Sequence, residues 1–91
     1  MNESRGDIEE RVKNVILNRL KLSLDAKRLK RDTPLIGKGL GLDSVRIIEL
    51  VVGLEEEFNI FFDDSEMSME IFENIVKIAE YISGKLGNKK T

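Results

Sequence analysis

This chain contains neither cysteine nor histidine. Without cysteine the chain forms no disulfide and no thiolate metal site, and a reducing compartment is acceptable. Without histidine it lacks the commonest general base and the commonest metal ligand. The two absences therefore argue against serine–histidine catalysis and against a zinc centre.

Long apolar runs are also missing. No stretch approaches the ~20 residues of a membrane span. The first residues, "MNESRGDIEERVK", include no apolar signal-peptide segment. We therefore expect a cytoplasmic protein with no membrane insertion. The 91 residues suffice for one small domain, and the 41% of hydrophobic residues indicate a globular chain.

Charge is distributed unevenly along the chain. Residues 19–38 contain seven basic and two acidic residues, whereas residues 43–80 contain eleven acidic and two basic ones. This separation is typical of a surface that meets a charged partner, although solvated faces would also produce it. The basic run at 27–31 lacks interleaved aromatic residues, so no nucleic-acid binding is expected. The acidic run at 63–66 lacks the spacing of an EF-hand loop, and no metal site is predicted.

Apolar residues recur at helical spacing in three segments, and no strand pattern is present. The spacing predicts long helices at about 8–20, 44–58 and 75–84, with Asn74 as the cap of the last helix and Gly84 as its stop. A short helix is predicted to start near 64–65 and to carry Met67, Met69 and Ile71.

These elements predict an all-α fold, a small four-helix bundle of three long helices and one short helix with a long first loop over 21–43. The predicted domain spans 7–84, between a flexible N-terminus at 1–6 and a flexible C-terminal tail at 85–91. The predicted core faces of the first two long helices consist of Ile8, Val12, Val15, Ile16, Leu20, Ile47, Leu50, Val51, Leu54 and Phe58.

The stretch "GKGLGLDSVRIIEL" at 37–50 is the candidate site. Asp43 lies where a helix N-cap belongs, and Ser44 is the first helical residue. The N-terminus of a helix presents unpaired N–H groups and a partial positive charge, so a phosphate on the Ser44 oxygen would be favourably placed. The plain alternative is that Asp43 and Ser44 form an ordinary cap.

The second long helix has more apolar surface than the stripe of about 100° that packing against a core requires. Val45, Ile48 and Val52 form a second stripe beside Ser44, bordered by glutamates. An apolar strip with a charged border is typical of a docking face. Coverage by another segment of the chain is the alternative.

Three segments resemble the acyl carrier proteins: "IEERVKNVILNRL", "LGLDSVRIIELVVGLEEEF" and "IAEYI". They occur in the order and spacing of that family, and the resemblance covers about residues 7–83. It implies that Ser44 is esterified with 4′-phosphopantetheine, donated by coenzyme A through a separate Mg²⁺-dependent transferase. The thiol of this arm would carry acyl groups as thioesters, and the chain would not itself be an enzyme.

The resemblance also assigns roles to the residues around Ser44. Asp43 matches the acidic residue before the serine, and Gly41 and Leu42 complete the attachment motif. The partner-facing positions are Val45, Arg46, Ile48, Glu49, Val52 and Glu56. Arg46 departs from the fatty-acid carriers, which usually have an acidic residue there. The resemblance therefore favours a specialised carrier.

The expected partners are the phosphopantetheinyl transferase and enzymes that load and transfer acyl groups in fatty-acid, lipid or polyketide metabolism, and a monomer is expected. Two other hypotheses remain open. One is a peptidyl or aryl carrier of a secondary-metabolite or cell-envelope pathway. The other is a helical protein-binding module without a prosthetic group.

Overall fold

A computed structural model describes residues 5–20, 28–37, 39–63, 65 and 67–88. Within these ranges the chain forms three α-helices and one short 3₁₀ helix, and no strand. The α-helices are α1 at Arg5–Arg19, α2 at Ser44–Phe58 and α3 at Ile75–Asn88, and the 3₁₀ helix is Met69–Phe72. The prediction of an all-α fold is confirmed for the described residues.

One apolar core joins all of these elements. The predicted core faces of α1 and α2 are buried, except that Val51 is half-buried. The last helix buries Ile75, Ile78, Ala79 and Ile82, which recur at helical spacing along one face. From the first connection, Leu29, Leu35 and Leu42 enter the same core. Two further leucines of the predicted first loop, Leu22 and Leu24, lie outside the described residues.

Both outer helices extend beyond their predicted limits. The first begins at Arg5 rather than near residue 8, and the last continues to Asn88 rather than stopping at Gly84. A glycine ends a helix by adopting a left-handed backbone. Gly84 is not among the described glycines with positive φ, which are Gly37 and Gly41. Residues 85–88 of the predicted tail therefore belong to α3.

The predicted short helix is represented by a 3₁₀ helix that starts later than expected. Residues 65, 67 and 68 are not helical, and the 3₁₀ helix Met69–Phe72 carries Met69 and Ile71. Phe72 is buried, and its ring stacks on Phe62 with centroids 6.0 Å apart. The Phe62 ring in turn lies 5.0 Å from that of Tyr81 in α3. Aromatic packing by Phe72, rather than helical periodicity, holds this segment.

Arginines of α1 reach the glutamates at the end of α2. The Arg11 Nε donates to Glu57 Oε2 at 2.7 Å, and the Arg11 guanidinium lies 4.3 Å from the centre of the Phe58 ring. The Arg19 Nη1 lies 2.7 Å from Glu56 Oε1. The hydrogen bond to Glu56 raises the pKa of Arg19 above its ordinary value. These contacts join α1 to the C-terminal end of α2 at the surface of the bundle.

Among the described residues, none of the helices has the length and apolar character needed to cross a membrane.

Candidate functional site

The N-terminus of α2 lies where the sequence predicts it. Asp43 has an extended backbone and is the N-cap, and its Oδ1 accepts a hydrogen bond of 2.9 Å from the Arg46 amide. Ser44 follows as the first helical residue and is exposed. Because the cap bond involves the carboxylate of Asp43, the hydroxyl of Ser44 is not needed to terminate the helix.

The loop before Ser44 is held in place by backbone hydrogen bonds. The Leu40 amide donates to the Pro34 carbonyl and the Leu42 amide to the Leu35 carbonyl, both at 2.9 Å. The Leu35 amide in turn donates to the Glu73 carbonyl at 3.0 Å, just before α3. The approach to Ser44 is therefore anchored to the bundle, although its three glycines alone indicate a freely bending segment.

Two glycines of this loop are required for different reasons. Gly41 has a φ of 67°, which a residue with a side chain adopts only with strain. Gly39 lies against Pro34, and a Cβ at this position would overlap the Pro34 carbonyl oxygen. That oxygen accepts the Leu40 hydrogen bond, so bulk at Gly39 opposes the contact that closes the loop.

Replacing Gly39 with alanine is expected to lower the free energy of unfolding by about 1–3 kcal/mol, because the new methyl group cannot fit without separating Gly39 from Pro34. Thermal and urea unfolding measure this effect. The matched control is Gly84→Ala in α3, where a Cβ meets nothing within 4 Å. The free energy of unfolding of that variant should rise by about 0.5–1 kcal/mol, because alanine has a higher helix propensity than glycine. Equal stabilities for the two variants would contradict the close approach at Gly39.

The second apolar stripe of α2 is exposed. Val45 and Ile48 are 62% and 63% exposed, and Val52 is 41% exposed. All three lie on the solvent-exposed side of α2, and the first of them directly follows Ser44. We call these three residues the docking stripe. Their exposure excludes coverage by the described part of the chain.

The polar residues beside the docking stripe form ion pairs with one another or with α1. Arg46 Nη1 lies 3.2 Å from Glu49 Oε1 and also donates to the Leu20 carbonyl at 3.1 Å. Glu56 pairs with Arg19 of α1. The sequence predicts Glu49 and Glu56 as contacts for a partner but does not reveal their arginine neighbours, because the pairs depend on how the helices are packed.

The aromatic and methionine residues after α2 do not share one environment. Phe62 and Phe72 are buried in the core, whereas Phe61 is 83% exposed and Met69 is 61% exposed. The sequence leaves open a pocket for an acyl chain lined by Phe61, Phe62, Met67, Met69, Ile71 and Phe72, with ordinary core as the alternative. Phe61 and Met69 face solvent, so these two side chains do not line a common pocket with the buried rings.

Comparison with known proteins identifies the fold and the motif together. Residues 10–82 match the family model described as "Phosphopantetheine attachment site". An acyl carrier protein of Thermotoga maritima is 34% identical over 84 residues, which is 92% of this chain and 98% of the relative. One of Campylobacter hominis is 36% identical over 83 residues, covering 91% and 99% of the two chains. The chain belongs to the acyl carrier protein family.

The fold agrees with this family. The solution structure of a holo acyl carrier protein from Nitrosomonas europaea superimposes with a TM-score of 0.76 at 30% identity. The likeness covers 87% of this chain and 95% of the other one. The sequence resemblance to the acyl carrier proteins is thereby confirmed, as is its prosthetic group, covalently attached 4′-phosphopantetheine.

The residues at the start of α2 fit such a group. A phosphodiester needs an accessible hydroxyl, space for the arm and donors for its oxygens. Ser44 provides an exposed hydroxyl, and Gly41 adds no side chain to the approach. The first intrahelical hydrogen bond runs from the Ile47 amide to the Asp43 carbonyl. The amides of Ser44 and Val45 therefore have no acceptor within the helix and can donate to an anion at this helix end.

Proposed function

We propose that the Ser44 oxygen is the attachment point of 4′-phosphopantetheine and that this acyl carrier protein presents acyl thioesters on that arm to partner enzymes. One observation carries the proposal: the Ser44 hydroxyl is exposed at the first position of α2, immediately after a cap that does not use it. A serine that is not needed as the cap remains free for modification.

Each neighbouring residue has a distinct part in this proposal. Asp43 caps the start of α2, because its carboxylate accepts a hydrogen bond from the Arg46 amide. This cap fixes the direction in which Ser44 projects. The amides of Ser44 and Val45, together with the partial positive charge of the helix end, stabilise a phosphodiester at the Ser44 oxygen. Gly41 adopts the left-handed turn that brings the loop to Leu42, whose buried side chain anchors it.

When bound, the prosthetic group supplies a thiol that holds acyl groups as thioesters. The chain has no cysteine, so no side chain of its own competes for acyl groups as a thiol. It has no histidine to activate Ser44 either. The chain therefore positions the group, while the transferase and the acyl-handling enzymes perform the chemistry.

The docking stripe is the proposed contact for these enzymes, since it begins one residue after Ser44 and remains exposed. Acyl cargo is favoured over peptidyl or aryl cargo because the curated relatives reported above are acyl carrier proteins. We further propose a cytoplasmic monomer with a helical domain of about residues 7–84. Its 3₁₀ helix would take the place of the short fourth helix.

The experiment is modification in vitro. The purified chain is incubated with coenzyme A, Mg²⁺ and a broad-specificity phosphopantetheinyl transferase, and its intact mass is recorded. One phosphopantetheine per chain is expected, and a thiol reagent should then label the product but not the starting protein. A chain that stays unmodified with several transferases would overturn the proposal.

A further inference from the structure

Every glutamate of α2 has a partner within this chain. Glu49 pairs with Arg46, Glu56 with Arg19 and Glu57 with Arg11, with nitrogen–oxygen distances of 3.2, 2.7 and 2.7 Å. The remaining one, Glu55, accepts a hydrogen bond of 2.9 Å from the Phe62 amide. The three glutamates of "LEEEF" therefore bind groups of this chain, and these contacts join α2 to α1 and to the following loop.

The border of the docking stripe is consequently balanced in charge. Arg46 and Glu49 lie on α2 beside the stripe, and Glu56 is paired with Arg19. These two ion pairs contain two positive and two negative side chains, so they add no net charge to the border. A partner with a basic surface would have to compete with arginines that already lie against both carboxylates.

Arg46 has unused hydrogen-bonding capacity beside the docking stripe and lies two residues after Ser44. Both of its hydrogen bonds, to Leu20 O and to Glu49 Oε1, use Nη1. Its Nε and Nη2 meet no acceptor among the described residues, and its side chain is 45% exposed. The edge formed by Nε and Nη2 is suited to bidentate binding of a carboxylate.

In two other arginines, the Nε and Nη2 atoms both donate to acceptors of this chain. The Arg31 Nε and Nη2 donate to the two oxygens of Glu9 at 2.9 and 2.8 Å. The Arg11 Nε and Nη2 donate to the carboxylate and the carbonyl of Glu57, both at 2.7 Å. Arg46 has no such acceptor in the described part of the chain, although its Nη1 contacts hold the guanidinium in place.

We propose that Arg46 is a specificity-determining residue that receives a carboxylate of the partner enzyme while the docking stripe contacts an apolar surface of the same enzyme. This inference rests on the proposed function, since the partner in question acts on Ser44 or its arm. The complementary partner surface is apolar with an acidic group at its edge. A basic patch at that edge would meet the Arg46 guanidinium and be disfavoured by like charge.

Two substitutions on this border are expected to act in opposite directions. The measurement is the kcat/KM of Ser44 modification by the phosphopantetheinyl transferase of the organism that makes this chain. Arg46→Gln should lower kcat/KM about five- to tenfold, mainly through KM, because a charge-assisted hydrogen bond to the enzyme is lost. Glu49→Gln should raise it about two- to threefold, because it removes a negative charge from beside the incoming carboxylate. Both effects should shrink at high salt.

The matched control is Arg28→Gln, which removes one positive charge from an exposed residue of the first connection. Its kcat/KM should stay within about twofold of the original value. Thermal unfolding of each variant checks its folding, and if Arg46→Gln does not fold, the direction of the Glu49→Gln effect decides. An increase with Arg46→Gln, a decrease with Glu49→Gln, or equal effects of Arg46→Gln and Arg28→Gln overturns the inference. No modification of the original chain would instead overturn the proposed function, and the inference with it.

Discussion

Replacing Ser44 with alanine is expected to abolish attachment of 4′-phosphopantetheine completely. The substitution removes the oxygen that we propose forms the ester, and no neighbouring hydroxyl takes its place in "LGLDSVR". The fold should be unaffected, since Asp43 supplies the cap bond and Ser44 is exposed. Intact-mass measurement after incubation with coenzyme A and the transferase should show only unmodified protein.

Ser68→Ala is the matched control for that loss. Ser68 is also exposed and precedes a helical segment, the 3₁₀ helix Met69–Phe72, where its side chain makes no cap hydrogen bond. This variant should be modified as completely as the original chain. An adduct that persists in Ser44→Ala would assign the attachment to a different residue and refute the proposed site.

Among the variants considered for stability, Phe72→Ala is expected to cause the largest loss. Phe72 is only 1% exposed and stacks on Phe62, which contacts Tyr81 of α3. Removing a buried phenyl ring costs about 3–5 kcal/mol, through lost burial and the cavity left behind. The total free energy of unfolding of a protein domain is only about 5–15 kcal/mol. The variant should therefore unfold at a much lower urea concentration than the original chain.

Phe61→Ala makes the same chemical change one residue before Phe62. Phe61 is 83% exposed, so its loss should change the free energy of unfolding by no more than about 0.5 kcal/mol. Urea unfolding followed by circular dichroism compares the two variants directly. Similar losses for Phe61→Ala and Phe72→Ala would contradict the division between buried and exposed rings described above.

The second helix was the most predictable part of the molecule. Its limits at Ser44 and Phe58 and its Asp43 cap agree with the prediction, because side-chain capping and apolar periodicity are local properties of the sequence. The docking stripe was predictable for the same reason. When the apolar arc of a helix is wider than the face that packs against the core, some of its apolar residues remain outside the core.

Helix ends and the 3₁₀ helix were less predictable. Gly84 resembles a stop in the sequence, but a glycine in an ordinary helical conformation does not end a helix. The segment before α3 carries methionines at helical spacing. It is organised instead by Phe72, which packs against residues from other elements. Such contacts are not visible in local periodicity.

The electrostatics of the docking border could not be predicted from the sequence. Glu49 and Glu56 read as unpaired acidic contacts, because nothing in the sequence gives the register between α1 and α2. The packed helices bring Arg19 to Glu56, and within α2 itself the Arg46 side chain lies against Glu49 and the end of α1. A face that appears acidic in sequence is therefore balanced in the folded chain.

The most direct test of this account is peptide mass spectrometry of the protein isolated from its own cells. Trypsin cleavage after Lys38 and Arg46 releases the peptide "GLGLDSVR", in which Ser44 is the only hydroxyl side chain. The account predicts that this peptide carries phosphopantetheine, with part of it acylated on the thiol. An unmodified peptide throughout, or phosphopantetheine on a peptide that does not contain Ser44, would contradict it.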